Sequence, residues 1–395
     1  MAKRSDSGIP KIALLVETAR GYGRGLLRGI VRYARLHGPW SFYVTPGDFE
    51  QAVPRMQQWG GTGIIARIET PRIAKAILDT GLPTIALDLS TSQLAEGNPL
   101  AKMSEVASDS YQAAIMASEH LLERGFTQFG FVGIPERVWS ERREAGFRDR
   151  IVEAGFEPLV YPYPRKSRDR QWERELGRLA QWLKDLPKPI GVMACNDDRG
   201  REVLEACREA RIHVPEQIAV IGVDNDQLLC DLADPPLSSV ALNAEAGGYR
   251  VATLLDKMMH GRVRRKQTLV VEPLHVVVRR STDIIALEDI DVASALRFIH
   301  ENAARPIGVN DVVRHVQLSR RSLEIRFQNV VGRTVHAEIQ RVRLERAKQL
   351  LTETDLPIPK IAEATGYGSA SYLGQVFRQT LGTTPARFRR HARNG

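Results

Sequence analysis

Polar side chains follow several short apolar segments of the chain, at positions where they could bind a small molecule together. They are Asp109, Trp139, Arg143, Asn196, Asp197 and Asp224, in the segments "EVASDS", "VWSERREAGF", "GVMACND" and "VIGVDND". Open α/β sheets bind ligands outside the carboxyl ends of their strands. Carboxylates and amides exchange hydrogen bonds with hydroxyl groups, Arg adds a charged fork, and an aromatic ring covers the apolar face of a sugar. These residue types therefore predict a sugar-binding site.

Each of these residues also has a purely structural interpretation. Asp109 could cap the helix that follows it, and Asn196 and Asp197 could cap another helix. Trp139 could lie in the core, and Arg143 could lie on a solvated helix face. Their joint placement after apolar segments favours the ligand site over a set of unrelated structural roles.

The glycine-rich segment "GYGRG" after the first apolar run invites comparison with a dinucleotide-binding loop. That fingerprint requires a third glycine at the position of Leu26, which is apolar and bulky. No GxxxxGK[ST] segment is present, so nucleotide hydrolysis has no support. The three cysteines are odd in number and lack CxxC pairing, and Cys195 is interpreted as a buried strand residue. We expect no cofactor, no metal site and no enzymatic activity.

The elements that would position the polar residues alternate between strand and helix from Lys11 to about Arg280. The strand-like runs are "IALLVE", "GIIARI", "PTIALDL", "FGFVG", "GVMACN" and "IAVIGV". Amphipathic stretches such as Tyr111–Arg124 and Arg199–Arg211 lie between them. This alternation predicts parallel sheets covered by helices, and the length favours two similar lobes over one sheet. We place the domain boundary between Arg280 and Ile290, beyond which the chain is predicted to be helical.

Charge is concentrated in the C-terminal part of the chain. Residues 288–395 carry seventeen Lys and Arg side chains against eleven Asp and Glu, within a chain of net charge +9. A solvated basic surface is one explanation, and a polyanionic partner such as nucleic acid is the other. The N-terminal apolar run is short and no membrane-spanning stretch follows, so we expect a cytoplasmic protein that does not enter a membrane.

Two helix–turn–helix patterns are predicted in this basic part, at about residues 309–330 and 357–380. In the first, Ser319 can cap a helix that buries Leu323 and Phe327. In the second, Gly366 stands where a left-handed helix stop is needed. The amphipathic segment "HAEIQRVRLERAKQLL" joins the two. An all-helical core with a basic exterior is the alternative, but two such patterns about fifty residues apart favour binding to double-stranded operator DNA.

The C-terminal segment "RLERAKQLLTETDLPIPKIAEATGYGSASYLGQVFRQTLGTTPARFR" resembles the signature of AraC-type transcription regulators, over roughly Val292–Arg390. The positions that match are Arg343, Ala347, Leu350, Leu351, Ile361, Ala362, Gly366, Tyr367, Tyr372, Phe377, Gly382, Pro385 and Arg389. The resemblance implies two DNA-recognition helices. The base-facing positions that it implies are Arg320, Arg321 and Glu324 in the first helix and Ala370, Ser371 and Gln375 in the second.

The region from about Lys11 to Arg280 resembles the LacI-type, periplasmic-binding-protein-like sensor, on the motifs "RREAGF", "MACNDDRG" and "VIGVDND". A sensor of this type before an AraC-type domain is an uncommon order. It is similar to that of the xylose operon regulators, with "GYGRG", "VWSERREAGF", "NDDRGREVL" and "VRRSTD" in matching segments. This resemblance adds Tyr22 and Arg24 to the ligand-binding residues. It also implies D-xylose or a related pentose as effector and a homodimer as the working unit.

The sequence thus predicts a two-lobed α/β sensor at residues 1–282 and an all-α DNA-binding domain at 288–395. We expect a sugar-responsive transcription regulator, an activator of sugar-catabolic genes. One rival is an α/β sugar-processing enzyme, for which no catalytic constellation is visible. Another is a sugar-binding protein with an accessory basic helical domain, and a transport protein of that kind would need an export signal.

Overall fold

The computed structural model describes residues 8–44, 55–163, 172–284 and 289–394. The chain divides into two units, residues 1–284 and 285–395. The predicted domain boundary includes residues 285–288, which lie outside the described residues, as do the first seven residues of the chain.

The first lobe of the N-terminal unit contains a six-stranded sheet in the order β11-β5-β4-β3-β1-β2, parallel throughout. Its strands are β1 (Lys11–Leu15), β2 (Ser41–Val44), β3 (Gly63–Arg67), β4 (Thr84–Leu87), β5 (Ser104–Ser108) and β11 (Thr268–Val271). Its helices are α1 (Gly21–His37), α2 (Met56–Trp59), α3 (Pro71–Leu78), α4 (Thr91–Leu94), a 3-10 helix (Pro99–Lys102) and α10 (Ala244–Met259). The central strands are buried on both faces, as their continuous apolar runs predict.

The second lobe contains another six-stranded sheet, in the order β12-β10-β9-β8-β6-β7. Its strands are β6 (Phe129–Val132), β7 (Leu159–Val160), β8 (Ile190–Ala194), β9 (Ile218–Asp224), β10 (Ser238–Leu242) and β12 (Pro273–Val277). Its helices are α5 (Ser110–Leu122), α6 (Val138–Glu153), α7 (Trp172–Asp185), α8 (Asp197–Ala210), α9 (Gln227–Leu232) and a 3-10 helix (Arg280–Thr282).

One strand departs from the predicted parallel arrangement. β12 is antiparallel to β10 at the edge of the second sheet. The chain leaves the second lobe after β10 and returns to it immediately before β12, so the two strands run in opposite directions.

Three chain segments cross between the lobes side by side. The Asp109 amide donates to the Val271 carbonyl oxygen at 2.9 Å, and the Asn243 amide donates to the Glu272 carbonyl oxygen at 3.0 Å. Because few residues connect the lobes, small changes in their backbone angles would suffice to open or close the cleft between them.

The "GYGRG" segment begins α1, where glycines allow close helix packing against α10. A methyl group on Gly29 would lie 2.0 Å from the Glu245 carbonyl oxygen, and one on Gly248 would lie 2.0 Å from that of Leu26. A methyl group on Gly25 would lie 2.7 Å from the Ala244 side chain. These glycines therefore serve the contact between two helices of the first lobe.

The C-terminal unit contains seven helices among the residues described. They are α11 (Ile290–Asn302), α12 (Val309–Val316), α13 (Arg320–Val331), α14 (Val335–Glu353), α15 (Ile358–Ala364), α16 (Ala370–Leu381) and α17 (Pro385–Asn394). The pairs α12–α13 and α15–α16 are the two predicted helix–turn–helix motifs. Two mainly parallel α/β lobes followed by an all-α domain confirm the predicted fold class.

The two recognition-type helices repeat the same local design fifty residues apart. Ser319 caps α13 by accepting from the Ser322 amide at 3.1 Å, and Ser369 caps α16 by accepting from the Tyr372 amide at 3.2 Å. Each helix ends at a glycine in the left-handed region, Gly332 and Gly382. The predicted cap at Ser319 is confirmed.

One arginine connects the two motifs through backbone carbonyl groups. Arg343 of α14 is buried and donates to the carbonyl oxygens of Ala303, Arg305 and Ile307, between 2.8 and 3.0 Å. Gly366, at φ 73°, packs at the same place, since a methyl group there would lie 2.4 Å from the Ala303 oxygen. The family-pattern residues Arg343 and Gly366 thus hold the second motif against the loop that precedes the first.

The α1–α10 contact generates a stability prediction. Gly29→Ala should destabilise the N-terminal unit by about 1–3 kcal/mol, because the added methyl group overpacks two backbones. Gly177→Ala on α7 is the matched control: nothing lies within 4 Å of the added methyl group, and the unit should gain up to about 1 kcal/mol. Urea unfolding followed by tryptophan fluorescence measures this unit alone, since all five tryptophans lie within residues 1–284. Equal stability of the two variants would contradict the close packing.

Candidate ligand cavity and nucleic-acid interface

A narrow cavity lies between the lobes of the N-terminal unit, at the carboxyl ends of strands from both sheets. The first lobe lines it with Val16, Glu17, Arg20, Tyr22, Gly23, Leu26, Arg67, Leu87, Asp88 and Ser108. The second lobe lines it with Trp139, Arg143, Asn196 and Asp224. This is the position at which open α/β sheets bind ligands.

Each lobe contributes one buried Arg–Asp pair to the cavity wall. In the first lobe Arg67 donates to Asp88 at 2.9 Å, and in the second Arg143 donates to Asp224 at 3.1 Å. Arg143 also donates to the Cys195 carbonyl oxygen, and its guanidinium lies 5.2 Å from the centre of the Trp139 ring. The Trp139 ring and the Arg143 guanidinium group therefore lie together on one wall of the cavity.

Three buried polar atoms of the cavity wall have no hydrogen-bond partner within the described residues. They are the Tyr22 hydroxyl group and the Nε atoms of Arg67 and Arg143. Burial raises the pKa of Tyr22 well above its usual value, so the phenol keeps its proton and can donate it in a hydrogen bond. Because an unmatched buried donor costs about 1–3 kcal/mol, a ligand that accepts from these atoms would be stabilised by them.

The ionisable groups of the cavity balance in number. Three carboxylates, from Glu17, Asp88 and Asp224, face three guanidinium groups, from Arg20, Arg67 and Arg143. A wall of zero formal charge favours a neutral ligand with many hydroxyl groups over an anion such as a sugar phosphate.

Two of the cavity carboxylates are held in unusual backbone conformations. Asp224 has φ 108° and Asp88 has φ 47°, both in the region that favours glycine. Burial raises the pKa of Asp224, and the Arg143 guanidinium acts in the opposite direction. Strained backbone of this kind clusters at ligand sites, where the surrounding structure holds the side chain in place.

Of the eight residues expected at the ligand site, five line the cavity: Tyr22, Trp139, Arg143, Asn196 and Asp224. Asn196 also caps α8, because its Oδ1 accepts from the Arg199 amide at 3.0 Å. Helix capping and ligand binding were alternative interpretations of Asn196 in the sequence. The structure shows that this residue can cap α8 and line the cavity at the same time.

The other three expected residues do not line this cavity, and their part in ligand binding stays a prediction. Asp109 lies at a crossing between the lobes and caps α5, accepting from the Gln112 amide at 3.1 Å. Asp197 points beneath β9, where it accepts from Ser239 at 2.6 Å and from the Asp226 amide at 2.7 Å. Burial raises the pKa of Asp197 to about 8.

Arg24, the third of these residues, contacts the opposite lobe. Its Nη2 lies 2.7 Å from each carboxylate oxygen of Asp226. Two further ion pairs cross the cleft: Arg20 Nε lies 2.7 Å from Asp198 Oδ2, and Arg137 Nη1 lies 2.5 Å from Glu69 Oε2. These three ion pairs connect the two lobes across the cleft.

Apart from Tyr22, sequence reasoning missed the polar residues of the first lobe, above all Arg67 and Asp88. Both stand at the carboxyl ends of runs that were assigned as strands, "GIIARI" and "PTIALDL", so the rule used for the second lobe would have found them. A larger pocket of about 660 Å³ adjoins the cavity and shares Arg67, Asp88 and Trp139 with it.

In the C-terminal unit, α13 and α16 present equivalent outward faces. On α16 the exposed face consists of Ser371, Gln375, Arg378 and Gln379. Fifty residues earlier, α13 exposes Arg321, Ile325, Gln328 and Asn329. These spacings place four side chains on one side of each helix.

The base-facing positions expected from the resemblance fall on or beside these faces. Arg320, Arg321, Ser371 and Gln375 are exposed, whereas Glu324 and Ala370 are half-buried. Ile325, which is 52% exposed, was missed because the sequence pattern assigns apolar residues to the core.

The arginines of the basic C-terminal end differ in their surroundings. Arg389 donates to the carbonyl oxygens of Leu351 at 3.3 Å and Leu356 at 2.6 Å, so it secures α17 against the end of α14. Arg390, by contrast, is exposed. Only the second of these two side chains has its charge fully available to solvent or to a partner.

Family models match most of the chain in three consecutive segments. Residues 11–111 match the XylR N-terminal domain, residues 118–282 a periplasmic binding protein-like domain, and residues 312–391 a helix-turn-helix domain. A two-lobed sensor followed by two helix–turn–helix motifs defines a class of transcription regulators, those that couple a ligand site to DNA binding.

Individual relatives match over almost the whole length. The xylose operon regulatory protein of Escherichia coli strain K12 is 34% identical over 383 residues, covering 96% of each chain. The protein of the same name from Haemophilus influenzae is 34% identical, covering 96% of this chain and 98% of its own. A solved structure of the xylose-binding transcription activator XylR matches with a TM-score of 0.81 and 33% identity, covering 98% of this chain and 99% of that one.

The chain belongs to the family of xylose operon regulatory proteins. This confirms the resemblance found in the sequence, including the uncommon order of sensor and AraC-type domain. Within the residues that the structure describes, no helix is both long and apolar enough to cross a membrane.

Proposed function

We propose that this protein is a transcription activator that binds D-xylose or a related pentose between the lobes of its sensor. In this proposal residues 1–282 form the sensor, residues 288–395 bind operator DNA, and the working unit is a homodimer. The names of the relatives support the pentose and the activation, since they refer to a xylose operon and to a xylose-binding activator.

The observation that carries the proposal is the charge-balanced cavity wall with its three unmatched donors. Asp88 and Asp224 can accept from ligand hydroxyl groups, while Tyr22 and the Nε atoms of Arg67 and Arg143 can donate to them. Trp139 adds a ring face for the C–H groups of a sugar. A small neutral polyol fits this set of groups better than an anion or an apolar ligand.

Because both lobes contribute to the wall, the ligand binds fully only when the cleft is closed. Sugar would then shift the sensor toward the closed form by as much as its affinity for the closed form exceeds that for the open form. The proposed consequence is a change in how the paired DNA-binding domains engage their half-sites.

Calorimetric titration with D-xylose, L-arabinose, D-ribose, D-glucose and a pentose phosphate tests the ligand. We expect a neutral pentose to bind best. Asp88→Asn and Arg143→Met, one from each lobe, should each weaken its binding by about 1–3 kcal/mol, or roughly 5- to 150-fold. Arg148→Met is the control for Arg143→Met, because Arg148 lies on the same helix and its side chain is 44% exposed. Wild-type affinity in both cavity variants, or preference for the phosphate, would contradict the proposed site.

The ion pair across the cleft should contribute to sugar binding without touching the sugar. Arg24→Gln breaks the two hydrogen bonds to Asp226 and should weaken pentose binding by roughly 5-fold or more, because the closed form loses about 1 kcal/mol or more. Arg28→Gln is the control, since Arg28 is exposed on the same helix. Similar pentose affinity in the two variants would show that Arg24 does not stabilise the binding-competent form.

The proposed DNA contacts follow from the outward faces of α13 and α16. In helix–turn–helix proteins the N-terminal part of the second helix reaches base edges in the major groove. Arg320 and Arg321 lie in the first turn of α13, and Arg paired with guanine is the commonest specific contact. Ile325 can contact a thymine methyl group, and α16 offers the shorter polar side chains Ser371 and Gln375.

Substitutions at two exposed arginines should separate base reading from phosphate binding. Arg321→Ala should weaken binding to the operator by about 1–3 kcal/mol more than binding to random duplex, because a base contact is lost. Arg390→Ala should weaken both about equally and reduce the salt slope by about one unit, because a phosphate contact is lost. Titrations on operator and scrambled DNA at several salt concentrations measure both effects. Equal losses on the two DNAs for Arg321→Ala would assign α13 a purely electrostatic role.

A further inference from the structure

Three consecutive residues, beginning with the last residue of β9, contact three different parts of the sensor. Asp224 accepts from Arg143 at 3.1 Å in the cavity wall. Asp226 accepts two hydrogen bonds of 2.7 Å from Arg24 of the opposite lobe. Between them, the side-chain oxygen of Asn225 accepts from Arg279 at 3.0 Å. This loop, residues 224–226, therefore touches the ligand cavity, the opposite lobe and the segment that contains Arg279.

Arg279 begins the last segment of the sensor before the chain continues to the DNA-binding domain. This exit segment, residues 279–282, is hydrogen-bonded into the second sheet. Ser281 donates to the Val220 carbonyl oxygen at 2.6 Å, and Thr282 donates to Ser238 at 2.7 Å. The exit segment is thus held by β9 and β10, the strands that also deliver residues 224–226 and the crossing at Asn243.

The Arg279 side chain is the direct bridge between residues 224–226 and the exit segment. Besides Asn225, its guanidinium donates to the Leu237 carbonyl oxygen at 3.0 Å and lies 3.5 Å from Asp231. The side chain is only 15% exposed, so it is fixed by these contacts. A displacement of Asn225 would leave a buried guanidinium N–H unmatched, which makes the bridge sensitive to the position of the loop.

The backbone at the other end of the bridge is strained. Asp224 has φ 108° and Asn225 has φ 47°, two consecutive residues in the left-handed region. Neither residue is glycine, so this conformation persists only while its contacts hold it. Those contacts include the cavity wall and, through Asp226, the closure of the lobes. The backbone that positions Asn225 is therefore flanked by a residue of the cavity wall and a residue of the contact between the lobes.

We propose that the Asn225–Arg279 hydrogen bond couples sugar binding in the cleft to the exit segment, and through it to DNA binding. Arg279 is a positioning residue in this proposal and makes no contact with the sugar. The inference rests on the proposed function and adds the residue through which the regulation passes. Physical coupling requires an element with two arrangements that both sites bias, and the proposal assigns this role to the strained loop at residues 224–226.

The full-length chain tests the coupling through the ratio of operator affinities with and without saturating D-xylose. Arg279→Gln should bring this ratio close to one, while the affinity for D-xylose stays within about 3-fold of the wild type, because linkage separates coupling from binding at either site. Arg280→Gln is the matched control, since Arg280 is the exposed neighbour in sequence. It should keep the wild-type ratio.

A second variant approaches the same bond from the other side. Asn225→Gly removes the amide acceptor and accepts a positive φ without strain, so the loop can keep its shape. It should lower the ratio as Arg279→Gln does, and the double variant should add nothing further, because both changes remove one interaction.

The outcomes distinguish this inference from the function on which it rests. If the wild type shows no xylose-dependent change in operator binding, the proposed function fails. If the wild type responds and both Arg279→Gln and Asn225→Gly respond equally well, the coupling role is overturned. Loss of D-xylose binding in both variants would also overturn it, because the two residues would then support the cavity itself.

Discussion

The need to pair charges that are buried between two lobes governs the structure of the sensor. A guanidinium or carboxylate removed from water is stable only with a partner of opposite charge and with its remaining donors matched. Arg67–Asp88 and Arg143–Asp224 satisfy the first condition within each lobe. The Nε atoms of Arg67 and Arg143 have no hydrogen-bond partner within the described residues, so the second condition is not met, and both residues line the same cavity. Within the described residues, the protein alone therefore leaves this hydrogen-bonding network incomplete.

Closure of the cleft and occupation of the cavity act on the same short stretch of backbone. Asp224 belongs to the cavity wall and Asp226 to the ion pair across the cleft, and one residue separates them. Three adjacent crossings leave the lobes free to rotate about a narrow hinge. A rotation that breaks the Arg24–Asp226 pair therefore also disturbs the loop that holds Asp224 toward the ligand. One short stretch of backbone is thus shared by the cavity wall and the contact between the lobes.

Features that depend on local sequence patterns were predicted correctly. The direction of a strand and the direction of a side chain, which local patterns do not contain, were missed. Apolar runs buried on both faces located the main strands, and the spacing of Ser319, Leu323 and Phe327 located a recognition-type helix. The antiparallel direction of β12 depends on where the chain crosses between lobes, which no local pattern contains.

The direction of each side chain likewise determines which of the expected ligand-site residues line the cavity. Asn196 and Asp197 are neighbours, yet one faces the cavity and the other points beneath β9, into space that Gly222 leaves open. A methyl group on Gly222 would lie 2.4 Å from Asp197 Oδ1, so the absence of a side chain at a position distant in sequence determines where this carboxylate lies.

In the C-terminal unit, local patterns repeat while the exposed side chains differ. The helices α13 and α16 have the same capping residues and terminal glycines at a spacing of fifty residues, but their exposed side chains are different. Arg320 and Arg321 on α13 correspond to Ala370 and Ser371 on α16. Because the scaffold is repeated and the surface is not, the first turn of α13 carries two exposed guanidinium groups where the first turn of α16 carries none.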